Sequence, residues 1–138
     1  MPPEVGDVLK DFQQWMGGNA ILVAHNADFD MGFLNAGFNR IDYEEASNPV
    51  IDTLELSRLL FPELKNHRLN TLCKKLDIEL TQHHRAIYDA EATGYLLWKF
   101  IKLSLERNIV NHNQFNQHMG GKEMLINVPD PFMLHYWL

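Results

Sequence analysis

With 138 residues, 46% hydrophobic and 22% charged, the chain is one domain at most and reads as an ordinary soluble globular protein. A net charge of −6 argues against a dedicated basic surface for nucleic acid, an objection that weakens where clustered acids hold cations. One cysteine excludes an internal disulfide and fits a reducing cytoplasm, and neither a bilayer-length apolar stretch nor a signal-peptide layout is present.

Pro2-Pro3-Glu4 is a helix start, since proline is tolerated in the first turn and an acid favours it. Val5, Val8, Leu9, Phe12, Trp15 and Met16 then recur at helical spacing, giving an amphipathic helix with one face to bury, stopped at Gly17-Gly18-Asn19. Ala20 to Ala24 is a continuous apolar run, expected to be a strand covered on both faces. Asn26 or Asp28 can cap the next helix, Phe29 to about Phe38, which puts Asp30 near its N-terminus. There Asp30 is either a partner of the helix dipole or a metal ligand. His25 reads as a strand-end hydrogen-bonding residue, and Asp28 as a surface acid.

Ile41 to Pro49 is an acidic, solvated loop. Val50 to Thr53 reads as a short strand, with Asp52 or Thr53 capping a helix from Leu54 to Phe61 that Pro62 ends. Lys65-Asn66-His67-Arg68 is a basic turn able to touch a phosphate, or simply a solvated one. It precedes a helix from Leu69 to Leu76, in which Cys73 is a packed core thiol. The last helix runs from Asp89 to about Glu106. Ala92, Leu96, Phe100 and Leu103 lie on one side and Leu97, Trp98, Ile101 and Leu105 on the adjoining one, so it needs partners on two sides.

The stretch that carries chemistry is His84 to Thr93. A helix turns about 100° per residue, so His84 and Asp89 reach one site only if His84 lies in a loop and Asp89 in the helix that follows. A mobile imidazole beside an anchored carboxylate suits a general base next to a metal ligand. By itself the same pattern is also that of a surface loop running into a helix whose N-terminal acid favours the dipole.

His25-Asn26-Ala27-Asp28-Phe29-Asp30 and the His84–Asp89 pair together resemble the second and third motifs of the DEDDh (DnaQ-like) 3′–5′ exonucleases. The resemblance covers roughly residues 2–123. From Val50 to Thr93 the chain is similar to the exonuclease insert of PolC-type replicative polymerases. The resemblance implies an α/β, ribonuclease H-like exonuclease fold. It also implies two divalent ions, Mg2+ or Mn2+, one helping to form the attacking hydroxide and the other stabilising the leaving 3′ oxygen. Asp30 and Asp89 match metal-ligating acids, His84 matches the general base, and His25, Asn26 and Phe29 fall at substrate-contacting positions. The implied substrate is a frayed single-stranded DNA 3′ end, the implied partner the remainder of a polymerase chain, and the implied compartment the cytoplasm.

The family's first motif, Asp-x-Glu on the opening strand, has no match: the acids before Asp28 are Glu4, Asp7 and Asp11, all within the first helix. The expectation is a truncated fold that lacks its opening antiparallel strands. What remains is mostly helical with two sheet strands, at about 20–25 and 50–53, and is inactive by itself. Asp52 and Glu55 could in principle substitute, but their strand-end and helix positions have no counterpart role in the family.

Residues 1–123 are expected to form the partial exonuclease domain and residues 124–138 an out-of-frame or disordered tail. Read one base earlier in permitted codons, Met-Leu-Ile-Asn-Val can give Ala-Tyr-Lys-Arg, the text the resemblance calls for, which places a frameshift near Glu123. The other reading of the tail is an apolar C-terminal strand docked on the core. Two further functional readings stand beside the proofreading exonuclease: a stand-alone DEDDh exonuclease acting on RNA or short oligonucleotides, and a non-catalytic remnant that only binds a partner.

Overall fold

The computed structural model describes residues 3–79, 86–107 and 125–126. Its elements run α1 (Pro3–Met16), β1 (Leu22–Ala24), α2 (Ala27–Arg40), β2 (Val50–Asp52), α3 (Thr53–Leu60), α4 (Leu69–Lys75), α5 (Ala86–Glu106) and β3 (Leu125–Ile126). β1 and β2 are parallel, with Val23 opposite Ile51, and are joined through α2 as a βαβ unit. β3 lies antiparallel on the far side of β2, with Leu125 opposite Ile51. The sheet therefore has three strands where two were expected, and β3 falls within the span expected to be a tail.

β2 is central and wholly buried, whereas β1, read as covered on both faces, is only half-buried. The reason is its place in the sheet: β1 is an edge, paired on one side only. Successive side chains of β2 point to opposite faces. Ile51 joins the main core, while Asp52 on the other face receives the start of α2.

That core is built around α5. Ala92, Leu96 and Phe100 pack against Leu56 and Leu60 of α3 and Leu72 and Cys73 of α4, with Phe61 tilted on Phe100 at 6.2 Å between ring centres. Arg107 ties the end of α5 to the end of α3 by donating to the Leu60 carbonyl at 2.9 Å. The second apolar side of α5 is covered in part: Leu97 and Ile101 pack against this core, whereas Trp98 is half exposed, with the Lys102 ammonium 3.7 Å from its ring centre. A cation over an indole face lets a large aromatic stand at a water interface.

α1 is also less covered than its pattern called for. It rests on α2 where Leu9 meets Gly37, a Cβ at which would lie 3.0 Å from a Leu9 methyl. Met16 is buried, but Val8 and Trp15 are exposed. Gly17 ends the helix with φ 63° and donates its amide to the Gln13 carbonyl, a left-handed stop that suits glycine. Among the described residues no helix is long and apolar enough to cross a membrane.

Candidate functional site

The site is organised at the C-terminal ends of β1 and β2. The chain leaves β1 at Ala24, turns through His25 and Asn26, and enters α2 at Ala27. Asn26 takes the left-handed conformation at φ 71°, ψ 60°, which asparagine tolerates better than most residues. Neither Asn26 nor Asp28 caps α2 as the sequence suggested: the Asn26 side chain makes no cap bond, and Asp28 lies exposed inside the helix. The left-handed turn sends the Asn26 side chain away and presents its amide to the neighbouring strand.

Asp52 takes that role. Its carboxylate accepts the amides of Asn26 and Ala27, each at 3.0 Å, and also the amide of Leu54 at 2.9 Å. One buried carboxylate thus serves the first turns of α2 and α3 together. Three N–H donors and two helix N-termini stabilise its charge. Asp52 thus gives three of its acceptor positions to backbone amides, and Glu55 is paired with Arg58 on the surface.

His25 is similarly engaged. Its Nε2–H donates to the His67 carbonyl at 2.7 Å, which leaves Nδ1 to accept from the Thr53 hydroxyl at 2.9 Å in the neutral ring. Burial pushes the ring below its ordinary titration range, outweighing the His67 carbonyl and the Asp52 charge. Ser57 donates to the Leu54 carbonyl at 2.6 Å and lies 3.1 Å from His67 Nδ1. The Lys65–Arg68 turn is therefore strapped to the end of β1, while Lys65 and Arg68 themselves remain exposed. The reading of His25 as a strand-end hydrogen-bonding residue holds, but its partners, 28 and 42 residues away, carried no signal in the sequence.

Asp30 stands exposed in the first turn of α2. Partial burial and then the negative Asp52 push its carboxyl up from the ordinary carboxylate range. It borders a groove between α1 and α2 that is also lined by Phe29, Phe33, Val5 and Arg40. Phe29 is 67% exposed, its ring 6.1 Å from that of Phe33. Asp89 is exposed in the first turn of α5, and its charge adds to burial in raising the Cys73 thiol, an inert core group as expected. Among the described residues neither Asp30 nor Asp89 has an ion-pair partner. His84, the expected base, lies outside the described residues.

Residues 2–97 match the model of the Exonuclease (RNase T) family. The chain belongs to this exonuclease family. It is 76% identical over 118 residues to the DNA polymerase III PolC-type of Oceanobacillus iheyensis, and 65% identical to that of Bacillus cereus over the same length. The Bacillus subtilis PolC-type polymerase is 63% identical over 119 residues. Each match covers 86% of this chain, which spans about 8% of the length of those relatives.

Such an exonuclease family generally works with divalent cations. Unpaired carboxylate oxygens are the right donors for a hard cation, and magnesium is commonly held by one or two carboxylates with waters and substrate phosphates completing its set. Asp30 and Asp89 fit in kind. In number they fall short of an all-protein cage: the described residues contain no group of three His, Cys, Asp or Glu able to hold an ion.

Proposed function

We propose that the chain is part of a 3′–5′ proofreading exonuclease domain of a PolC-type DNA polymerase and that residues 1–123 carry it. The observation that supports this most directly is the pair of exposed carboxylates Asp30 and Asp89, neither of which has an ion-pair partner among the described residues. Each lies in the first turn of its own helix in a chain of the exonuclease family. Asp30 and Asp89 would hold divalent cations, Mg2+ or Mn2+. Bound there, such ions supply Lewis-acid stabilisation of charge on the phosphodiester oxygens. His84 takes the proton of the attacking water.

The substrate we assign is a frayed single-stranded DNA 3′ end. Phe29 offers it an open aromatic face, on which a base stacks without regard to sequence. Lys65 and Arg68 offer charge to a phosphate. Asn26 has an exposed side chain beside that path, whereas His25 acts through the turn it anchors, since both its ring nitrogens have partners. The remainder of the polymerase chain is the partner and the bacterial cytoplasm the compartment.

The test is manganese-dependent degradation of a 5′-labelled single-stranded oligonucleotide by the purified chain, with Asp89→Ala as control. A ladder that disappears in the control supports the reading. Degradation that persists in the control removes Asp89 from the site. No ladder from folded protein means that Asp30 and Asp89 do not make a working site in this chain, and the catalytic reading of it falls. That outcome leaves family membership intact and this polypeptide without activity on its own. Preference for RNA over DNA would instead favour a stand-alone exoribonuclease.

A further inference from the structure

Asp30 can serve a site only if the first turn of α2 is held in one place. The usual devices are missing there. Asn26 gives no side-chain cap, the turn that carries it is left-handed, and β1 behind it is an edge strand. The contacts that fix the turn come from elsewhere: Asp52 Oδ1 receives the Asn26 amide and Asp52 Oδ2 the Ala27 amide. Ala27 is fully buried beneath this contact. The same carboxylate is locked by the Leu54 amide at the head of α3, and α3 packs on α5, the helix that carries Asp89. One side chain thereby ties the start of α2 to the frame on which Asp89 stands.

We propose that Asp52 is a positioning residue for Asp30, holding the first turn of α2 by its two amide contacts without itself touching a ligand. The proposal rests on the reading of Asp30 as a cation-binding carboxylate. It extends the capping role that was legible for Asp52 at the head of α3 to the start of α2 as well.

The geometry sets a graded test. Asparagine in place of Asp52 keeps one acceptor oxygen, enough for the Asn26 and Leu54 amides, but turns an N–H2 toward Ala27. Serine remains a good cap for α3 yet is too short to reach α2. We would prepare the full 138-residue chain, 15N-labelled, as parent, Asp52→Asn, Asp52→Ser and Asp30→Asn. Two quantities are read: hydrogen exchange of the Asn26 and Ala27 amides, and Mn2+-induced broadening of amide signals in the first turn of α2. Exchange at Leu96 and Phe100 in α5 reports that each variant is folded.

The expected result is a series. Mn2+ needed for half-broadening rises modestly in Asp52→Asn and by about tenfold or more in Asp52→Ser, as supporting partners of a metal ligand typically give. Ala27 exchange accelerates in the same order. Broadening in Asp52→Ser equal to the parent overturns the proposal, whatever happens to exchange, because a merely structural cap would do only the latter. Broadening that survives Asp30→Asn, or is absent from the parent, overturns the cation reading of Asp30 and the positioning role with it. Should Asp52→Ser fail to fold, Asp52→Asn decides alone: a weakened Mn2+ response with faster Ala27 exchange supports the proposal, and an unchanged response, or a weakened one without faster exchange as loss of the Asp52 charge alone would give, overturns it.

Discussion

Two side chains at the β1–α2 junction are held in protonation states that bear on stability in opposite ways. Asp30's carboxyl is raised by burial and by Asp52, so the folded chain holds its proton more tightly than the unfolded chain does. What stability this gives is present below the ordinary carboxylate range and is lost as pH rises through the folded value. At neutral pH the ionised Asp30 therefore disfavours the fold. Asp30→Asn should melt no lower than the parent at pH 7, and thermal scans should show any advantage shrinking in acid. His25 behaves differently. Its folded value is depressed below 6.5, so the unfolded chain binds the proton first as pH falls. Stability should be full above that value and decline below it. We expect the urea midpoint to drop between about pH 7.5 and about pH 5.5, with NMR of the ring showing a depressed titration. The His25 ring, with both nitrogens bonded internally, acts as scaffold for the turn.

Among the elements, two of the helical glycines, Gly94 and Gly37, separate intrinsic helix preference from packing. A Cβ at Gly94 on α5 meets nothing within 4 Å, so Gly94→Ala should raise stability by roughly 0.5–1 kcal/mol through helix preference alone. A Cβ at Gly37 on α2 lies 3.0 Å from Leu9, the point where α1 rests. Gly37→Ala should gain less than Gly94→Ala because Leu9 must shift, and Gly37→Val should loosen α1. Chemical denaturation of the three variants checks the order. The exposure of Val8 and Trp15 is the other side of the same fact: α1 is fastened to the molecule along one narrow seam.

For the whole molecule, stability rests on the cluster around α5. Leu96 and Phe100 are both fully buried within it, so Leu96→Ala should cost about 2–5 kcal/mol and Phe100→Ala about 3–5 kcal/mol in equilibrium unfolding. Either change approaches the total stability of a domain this size. Elsewhere the surface carries large apolar groups, with Trp15 82% and Phe33 77% exposed, and patches of this kind favour association. Sedimentation of the chain should show concentration-dependent association that Phe33→Ser reduces.

The sequence by itself determined the βαβ core, the four helices that precede α5 and the apolar stripe that makes α5 central. Each of these is written in local periodicity, in glycine stops and in proline limits. It likewise determined family membership, through motifs whose residues lie close together in the chain. Helix ends and burial were decided elsewhere. The sequence offered Asn26 or Asp28 as the cap of α2, but a strand 25 residues away supplies it. It offered β1 as a covered strand, but strand order left it at an edge. Asp52 was legible as the cap of α3, two residues from the Leu54 amide, but not as the acceptor of the Asn26 and Ala27 amides, 26 and 25 residues away. Where the sequence fell short, the deciding partner is distant in the chain. A backbone N–H that must be satisfied takes whichever acceptor the tertiary structure brings to it, and periodicity carries no information about that choice.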